Sequence, residues 1–286
     1  MSGASVRGAS VRGRGLAGTV LKYGIVITAS LVAMIPILAI VVVSLKSKQE
    51  VLEGGPFQLP RDWLNLANYQ TAFFDGQMAS AFVNTAIILV TSVVGTVIIG
   101  SMAAYAINRF TFRLKPLVLF LFLLAALVPA VTTQVATFQV INALGLFNTR
   151  YSAILLYMGT DILSIYIFLQ FMRGIPRALD EAALIDGASH WTIYRRICLP
   201  LLKPAIVTVV VIKGVAIYNE FYIPFLYMPA RDLGVVSTSL FRFNGPFNAD
   251  YQVIAAAVVI AMIPTLIIFL LLQRFIYNGF ARGAVK

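Results

Sequence analysis

Asp161, Lys213 and Glu220 are ionisable residues in stretches that are otherwise apolar. At the centre of a membrane helix each such charge costs about 2.5–3.5 kcal/mol on insertion scales, so each is expected to face protein or water. Lys213 and Glu220 are seven residues apart, which puts them on one helical face roughly 10 Å apart along the axis, too far for an easy direct pair. Asn219, Glu220, Phe221 and Tyr222 offer an amide, a carboxylate and aromatic faces. Sugars are bound by this chemistry, through hydroxyl hydrogen bonds and stacking on their C–H surfaces. The alternative for Asn219 and Glu220 is structural: they tie their helix to its neighbours or cap a kink at Pro224. Covalent chemistry has less to draw on. The sequence holds no GxxxxGK[ST] phosphate loop, no H-E-x-x-H and no Ser/His/Asp set or paired-carboxylate site. One cysteine, Cys198, and one histidine, His190, exclude a disulfide framework and leave too few ligands for a His-rich metal site. Both are expected to pack or to be solvated.

A second stretch is suited to recognition. Pro176 fits a helix start, and Asp180 and Glu181 favour the positive end of a helix dipole. Ala182, Ala183, Leu184 and Ile185 propagate the helix, and Gly187 takes the left-handed conformation that ends it. The expectation is a helix of about three turns on the membrane surface, its apolar face free for a partner or for lipid. A second helical run, 191–199, is expected to end where Leu199-Pro200 breaks it.

These residues need elements to position them. The 286-residue chain is 60% hydrophobic and only 12% charged, with a mean hydropathy of +0.89, which leaves too little polar surface for a soluble domain. Crossing a hydrocarbon core of about 30 Å takes roughly 20 apolar residues, and six segments qualify: 23–45, 82–107, 117–140, 151–172, 205–228 and 253–273. All are expected to be helices, because lipid cannot satisfy open backbone groups. Pro36, Pro129, Pro224 and Pro264 are expected to kink four of them.

Lys and Arg concentrate in 1–22, 109–115, 173–204 and 274–286 and are sparser in the alternate connections, so both termini are expected in the cytoplasm. The formal charge of +11 is then a topology signal and an attraction to anionic lipid headgroups rather than a sign of nucleic-acid binding. The division is a disordered tail over 1–22, a six-helix domain over 23–273 and a cytoplasmic tail over 274–286. Within the domain, 46–81 and 229–252 are external loops and 173–204 is a cytoplasmic one. The first apolar run is about twice a signal-peptide core, so it is expected to stay attached.

Glu181-Ala182-Ala183, Asp186-Gly187-Ala188 and Ile197-Cys198-Leu199-Pro200 resemble, at every marked position, the signature of permease subunits of ABC importers. The resemblance continues through Asn68-Tyr69, Asn84-Thr85, Ala104-Tyr105-Ala106 with Arg109-Phe110, Leu144-Gly145-Leu146 with Asn148-Thr149, Asn219-Glu220-Phe221, and Gln273-Arg274-Phe275 with Gly283-Ala284-Val285-Lys286. It is similar to the smaller permease subunit of the maltose-type carbohydrate importers. Tyr218 stands where that family usually has Trp, and 136–138 lacks a common proline.

The resemblance implies a type I ABC importer permease fold and an assembly of two unlike permease subunits, two cytoplasmic ATPase subunits and an external solute-binding protein. It implies that Glu181, Ala182, Ala183, Asp186, Gly187 and Ala188 form a helix that docks on the ATPase. Arg282, Gly283 and Lys286 are implied as a second ATPase contact, unless these basic residues simply follow the positive-inside rule. No cofactor is expected on this chain; ATP and Mg belong to the partner ATPase. The substrate path is expected to include Asp161, Lys213, Asn219, Glu220 and Tyr222, with a sugar as cargo. Alternatives are another solute such as glycerol phosphate, which calls for more basic residues than Lys213 alone, or an ATP-independent channel or carrier using Asp161 and Glu220 as ion sites.

Overall fold

A computed structural model describes residues 15–159, 161–245 and 249–284. The chain is a bundle of helices, and its one extended pairing among the described residues is an isolated antiparallel bridge between Asn244 and Ala249. In order the helices are α1 Gly15–Ser44, α2 Lys48–Glu53, α3 Ala67–Phe74, α4 Met78–Arg109, α5 Lys115–Leu127, α6 Gln134–Ala143, α7 Arg150–Gly159, α8 Ile162–Arg173, α9 Ala178–Ile185, α10 His190–Ile193, α11 Leu199–Leu201, α12 Lys203–Asn219, α13 Tyr222–Tyr227, α14 Val236–Leu240 and α15 Tyr251–Ala284.

Among the described residues, α1, α4 and α15 are long and apolar enough to cross a bilayer unbroken, and counting each of three bent helix pairs as one span, 115–143, 150–173 and 190–219, brings the number to six. The membrane protein is therefore multi-pass and helical, as expected, but three expected continuous spans are interrupted. Val128 is extended before Pro129, as the proline ring requires of its predecessor, and a 3₁₀ turn at Ala130–Thr133 separates α5 from α6. Gly159 ends α7, and Asp161 stands in a non-helical conformation before α8. Glu220 is extended between α12 and α13, so the break precedes Pro224, which sits in the first turn of α13. By contrast, α1 and α15 run through Pro36 and Pro264 without interruption.

The boundaries differ too. Helix α1 begins at Gly15, so 15–22 is helical rather than tail, and 1–14 lie outside the described residues. At the other terminus α15 continues to Ala284, so the part of the expected tail over 274–284 is helical. Helices α2 and α3 occupy the 46–81 connection, which ends where α4 starts at Met78.

Helix α4 is the centre. Ser92, Thr96, Gly100 and Ala104 are buried and four residues apart, a face of small side chains that lets neighbouring backbones come close. Helices α7, α8 and α12 pack around it. One core cluster lies toward its C-terminal end, with Tyr105, Phe168, Met172, Tyr194 and Leu202. A second, with Ile88, Ile154, Tyr157 and Tyr227, lies toward its N-terminal half. Helix α1 packs chiefly on α15 and exposes apolar side chains along most of its length, which suits a surface that meets lipid or another subunit.

Candidate functional site

Asp161 and Lys213 meet. Lys213 Nζ lies 3.4 Å from Asp161 Oδ2, with the side chains 16% and 8% exposed, and Ser164 Oγ donates to the same carboxylate. Asp161 is thus not mid-helix; it occupies the break in its span. There the two charges compensate each other, as buried charges must. Neither residue's neighbours in sequence reveal the pair, because the register of α8 against α12 belongs to the packing.

Glu220 has other partners. Its Oε1 accepts the backbone N–H of Tyr222 at 2.8 Å and of Ile223 at 3.4 Å, capping α13, while Ser237 Oγ donates to its carbonyl at 2.6 Å. Asn219 Nδ2 donates to Val215 O at 2.9 Å within its own helix. Asn219 also lines a groove of about 410 Å³ with Phe221, Ser237 and Thr265, and Tyr222 is exposed. Lys213 therefore turns to α8 while Asn219 borders α15, so the residues expected to share a path divide between two faces of α12. Tyr218, at the position of the usual Trp, donates to Ala261 O at 2.7 Å and ties α12 to α15.

The loop helix α9 is eight residues long, shorter than the three turns expected. Its end is a Schellman motif: Ala188 N–H donates to Ala183 O at 2.9 Å and Gly187 N–H to Leu184 O at 3.0 Å, with Gly187 at φ +78°. A Cβ added at Gly187 would meet no heavy atom within 4 Å. Within the chain, then, the left-handed backbone and not crowding selects glycine. Glu181, Ala182, Leu184, Ile185, Asp186 and Gly187 are exposed, Ile185 at 87%, and Ala183 and Ala188 are half-buried against the core. Four of the six signature residues, Glu181, Ala182, Asp186 and Gly187, thus face outward, and Leu179 and Trp191 are exposed as well.

The other face of α9 is anchored, which the sequence reading missed. Asp180 is buried, and its Oδ2 lies 2.6 Å from Arg109 Nε, at the last residue of α4. The same guanidinium donates to Ile175 O at 3.2 Å from both terminal nitrogens and to Asn108 Oδ1 at 3.1 Å. Cys198 is buried with its thiol 3.7 Å from Asp180 Oδ1. Burial, and then the Asp180 carboxylate, push that thiol's pKa up, so it stays a protonated donor. His190 packs its ring 4.9 Å from that of Phe110. Asp180 was assigned to the helix dipole alone; the signal that could have found its pairing is Arg109 at the end of an apolar run.

After α9, Ser189 caps α10 by accepting Thr192 N–H at 3.2 Å. A π turn at Tyr194–Cys198 leads into α11, which contains Pro200. The proline does not break the run. The bend falls at Leu202, where the next helix departs by 71° with Pro204 in its first turn.

Other residues of the resemblance act at the opposite end of α4. Asn84 Nδ2 donates to Asp232 O at 2.8 Å and Gly234 O at 2.9 Å, and its Oδ1 accepts Arg150 Nε at 2.8 Å. Thr85 Oγ1 accepts Val236 N–H at 3.0 Å, and Asn148 Oδ1 accepts Ala230 N–H at 2.9 Å. Asn68 Nδ2 donates to Ser44 O and Lys46 O, both at 2.8 Å. The backbone of Arg282 and Gly283 continues α15; their side chains, and Lys286, lie outside the described residues.

Residues 96–282 match the family described as "Binding-protein-dependent transport system inner membrane component". The probable starch degradation products transport system permease protein AmyC of Thermoanaerobacterium thermosulfurigenes is 33% identical over 263 residues, 91% of this chain and 94% of that protein. The diacetylchitobiose uptake system permease protein NgcG of Streptomyces coelicolor is 28% identical over 269 residues, 93% of this chain and 88% of that one. The fold is shared with a chain of a bacterial ABC transporter involved in the import of the acidic polysaccharide alginate, at a TM-score of 0.79 and 22% identity, covering 94% of this chain and 99% of that chain. The chain therefore belongs to the inner membrane components of binding-protein-dependent transport systems.

Proposed function

We propose that this chain is one of two unlike permease subunits of an ATP-driven oligosaccharide importer, and that α9 is where an ATPase subunit engages it. The observation that carries the reading is α9 itself: a capped helix, fixed on one face by Asp180, with Glu181, Ala182, Leu184 and Ile185 exposed on the other. The distribution of Lys and Arg supports a cytoplasmic position for 173–204 and for both termini. ATP and Mg bind the partner ATPase pair, which closes, moves α9 and switches the bundle between inward and outward openings. This chain itself carries out no covalent chemistry. Arg282, Gly283 and Lys286 make a second ATPase contact. An extracytoplasmic binding protein docks on 46–77 and 229–252, and lipid and the second permease cover the apolar flank of α1.

A saccharide is the cargo class in the names of the starch-product and diacetylchitobiose relatives. The groove beside Asn219 and Phe221 has the amide and aromatic character that a sugar needs. Lys213, the cation on which an anionic solute such as glycerol phosphate would depend, is occupied by Asp161. The channel or carrier reading is weakened in the same way, because Asp161 and Glu220 both have structural partners.

The test is reconstitution in liposomes of the chain with its co-expressed permease, ATPase and binding protein. Uptake of an oligosaccharide from a panel is expected to require ATP and the ATPase subunit. Solute movement by the chain alone under an ion gradient would overturn the proposal.

A further inference from the structure

Resting on the reading that α9 receives the ATPase's motion, we infer that Arg109 and Asp180 are the positioning pair that makes α4 the helix this motion drives. Asp180 points away from the exposed face of α9, into a site where both charged groups are nearly excluded from solvent, at 6% and 13% exposure. In such surroundings the attraction between opposite charges is stronger than in water. Arg109 also holds the strap before α9, through Ile175 O, and Arg177 returns a bond to Asn108 O at 2.9 Å. The planar guanidinium thus grips helix and strap together, which the single ammonium of a lysine cannot do.

The segment after α9 is bound to the same stretch of α4. Tyr105 OH donates to His190 O at 3.3 Å, the Ser101 and Tyr194 hydroxyls share a hydrogen bond of 2.8 Å, and the Phe110 ring meets that of His190. Among the described residues, the side-chain hydrogen bonds, ion pair and ring contacts that tie 174–202 to another span all end on 101–110. Helix α4 has 32 residues, about 48 Å of rod. Near its other end it carries the Asn84 and Thr85 contacts to the 232–236 backbone. A push on α9 therefore has a polar route to the far loops through one rigid element, beside the apolar core that Ile193, Tyr194 and Cys198 share with Phe168, Met172 and Val209, a contiguous path of the kind that coupling between distant sites uses.

The experiment uses the reconstituted importer in two arms. Spin labels on Ala106→Cys and Ala178→Cys, both exposed, report the separation of α4's last turns from α9; the native Cys198 is buried and escapes labelling. The separation is expected to be the same in nucleotide-free and ATP-bound states, and a change between them overturns the inference. In the second arm, Asp180→Asn is expected to assemble and hydrolyse ATP while sugar moved per ATP falls about tenfold. An assembled variant with the wild-type ratio overturns it. Should Asp180→Asn fail to assemble, the label distance decides alone. Uptake by the wild-type complex without ATP would instead sink the functional reading, so the two failures remain distinguishable.

Discussion

At the start of α4, Asn84, Thr85 and Asn148 bind the backbone of the 229–236 stretch through separate side-chain hydrogen bonds. At its end, Arg109 holds α9 and its strap through one buried ion pair and two bonds to a single carbonyl, with a clasp of aromatic rings beside it. The first arrangement fixes the shape of a loop residue by residue. The second fixes one face of a short helix as a unit and leaves its other face open, which is what the proposed docking of an ATPase on α9 requires.

That contrast can be broken most forcefully at Asn84. The side chain is 1% exposed, and Asn84→Ala strands two carbonyls and the Arg150 Nε–H. A loss of about 3 kcal/mol is expected, since each unsatisfied buried group costs roughly 1–3 kcal/mol. Thermal unfolding in detergent measures it, and the ATPase binding proposed at the far end of α4 should persist.

Gly187→Val places a β-branched side chain at φ +78°, expected to cost about 1–2 kcal/mol and to uncouple ATP hydrolysis from uptake. Gly187→Asn, which tolerates that backbone, should lie much nearer the wild type. Equal damage from both would mean that the docked partner's closeness, and not backbone geometry, demands glycine. Smaller again is Ser189→Ala, which removes the cap of α10 for about 1 kcal/mol. Faster hydrogen exchange at the Thr192 amide would report it, with α9 unaffected.

The smallest effect belongs to the other end. Glu50 closes a capping box on Ser47 and also accepts Arg61 N–H at 2.7 Å. Those hydrogen bonds, the backbone one from Ser47 foremost, bring its pKa down to about 2 from 4.5. Because the folded value is the lower one, the contribution is full above about 4.5 and is lost as pH falls toward 2. Amide exchange at Ser47 and Arg61 should rise in that window, and no change would remove Glu50 from the α2 cap.

Much of the architecture was legible in composition alone, because a chain this apolar has few ways to satisfy its backbone. Gly187 was legible as the stop of α9, since the left-handed conformation is a local property. The interruption at Pro129 was half legible: the proline was identified, but a kink was expected where the chain leaves the helix altogether. The break at Asp161 had no proline to announce it, and Pro200, which looked like a breaker, lies inside a helical run that the π turn admits.

The pattern of apolar runs, the clustering of Lys and Arg and the Glu-Ala-Ala and Asp-Gly-Ala stretches determined by themselves that the chain is a helical membrane protein with a short helix ending at a glycine near position 187. These features depend on neighbours in sequence and on the solvent each segment prefers. Only the tertiary structure decided which charges meet: Asp161 with Lys213, Asp180 with Arg109, and Glu220 with the start of α13. Such pairings depend on how helices distant in sequence are set against one another, and close packing imposes that register on all of them at once.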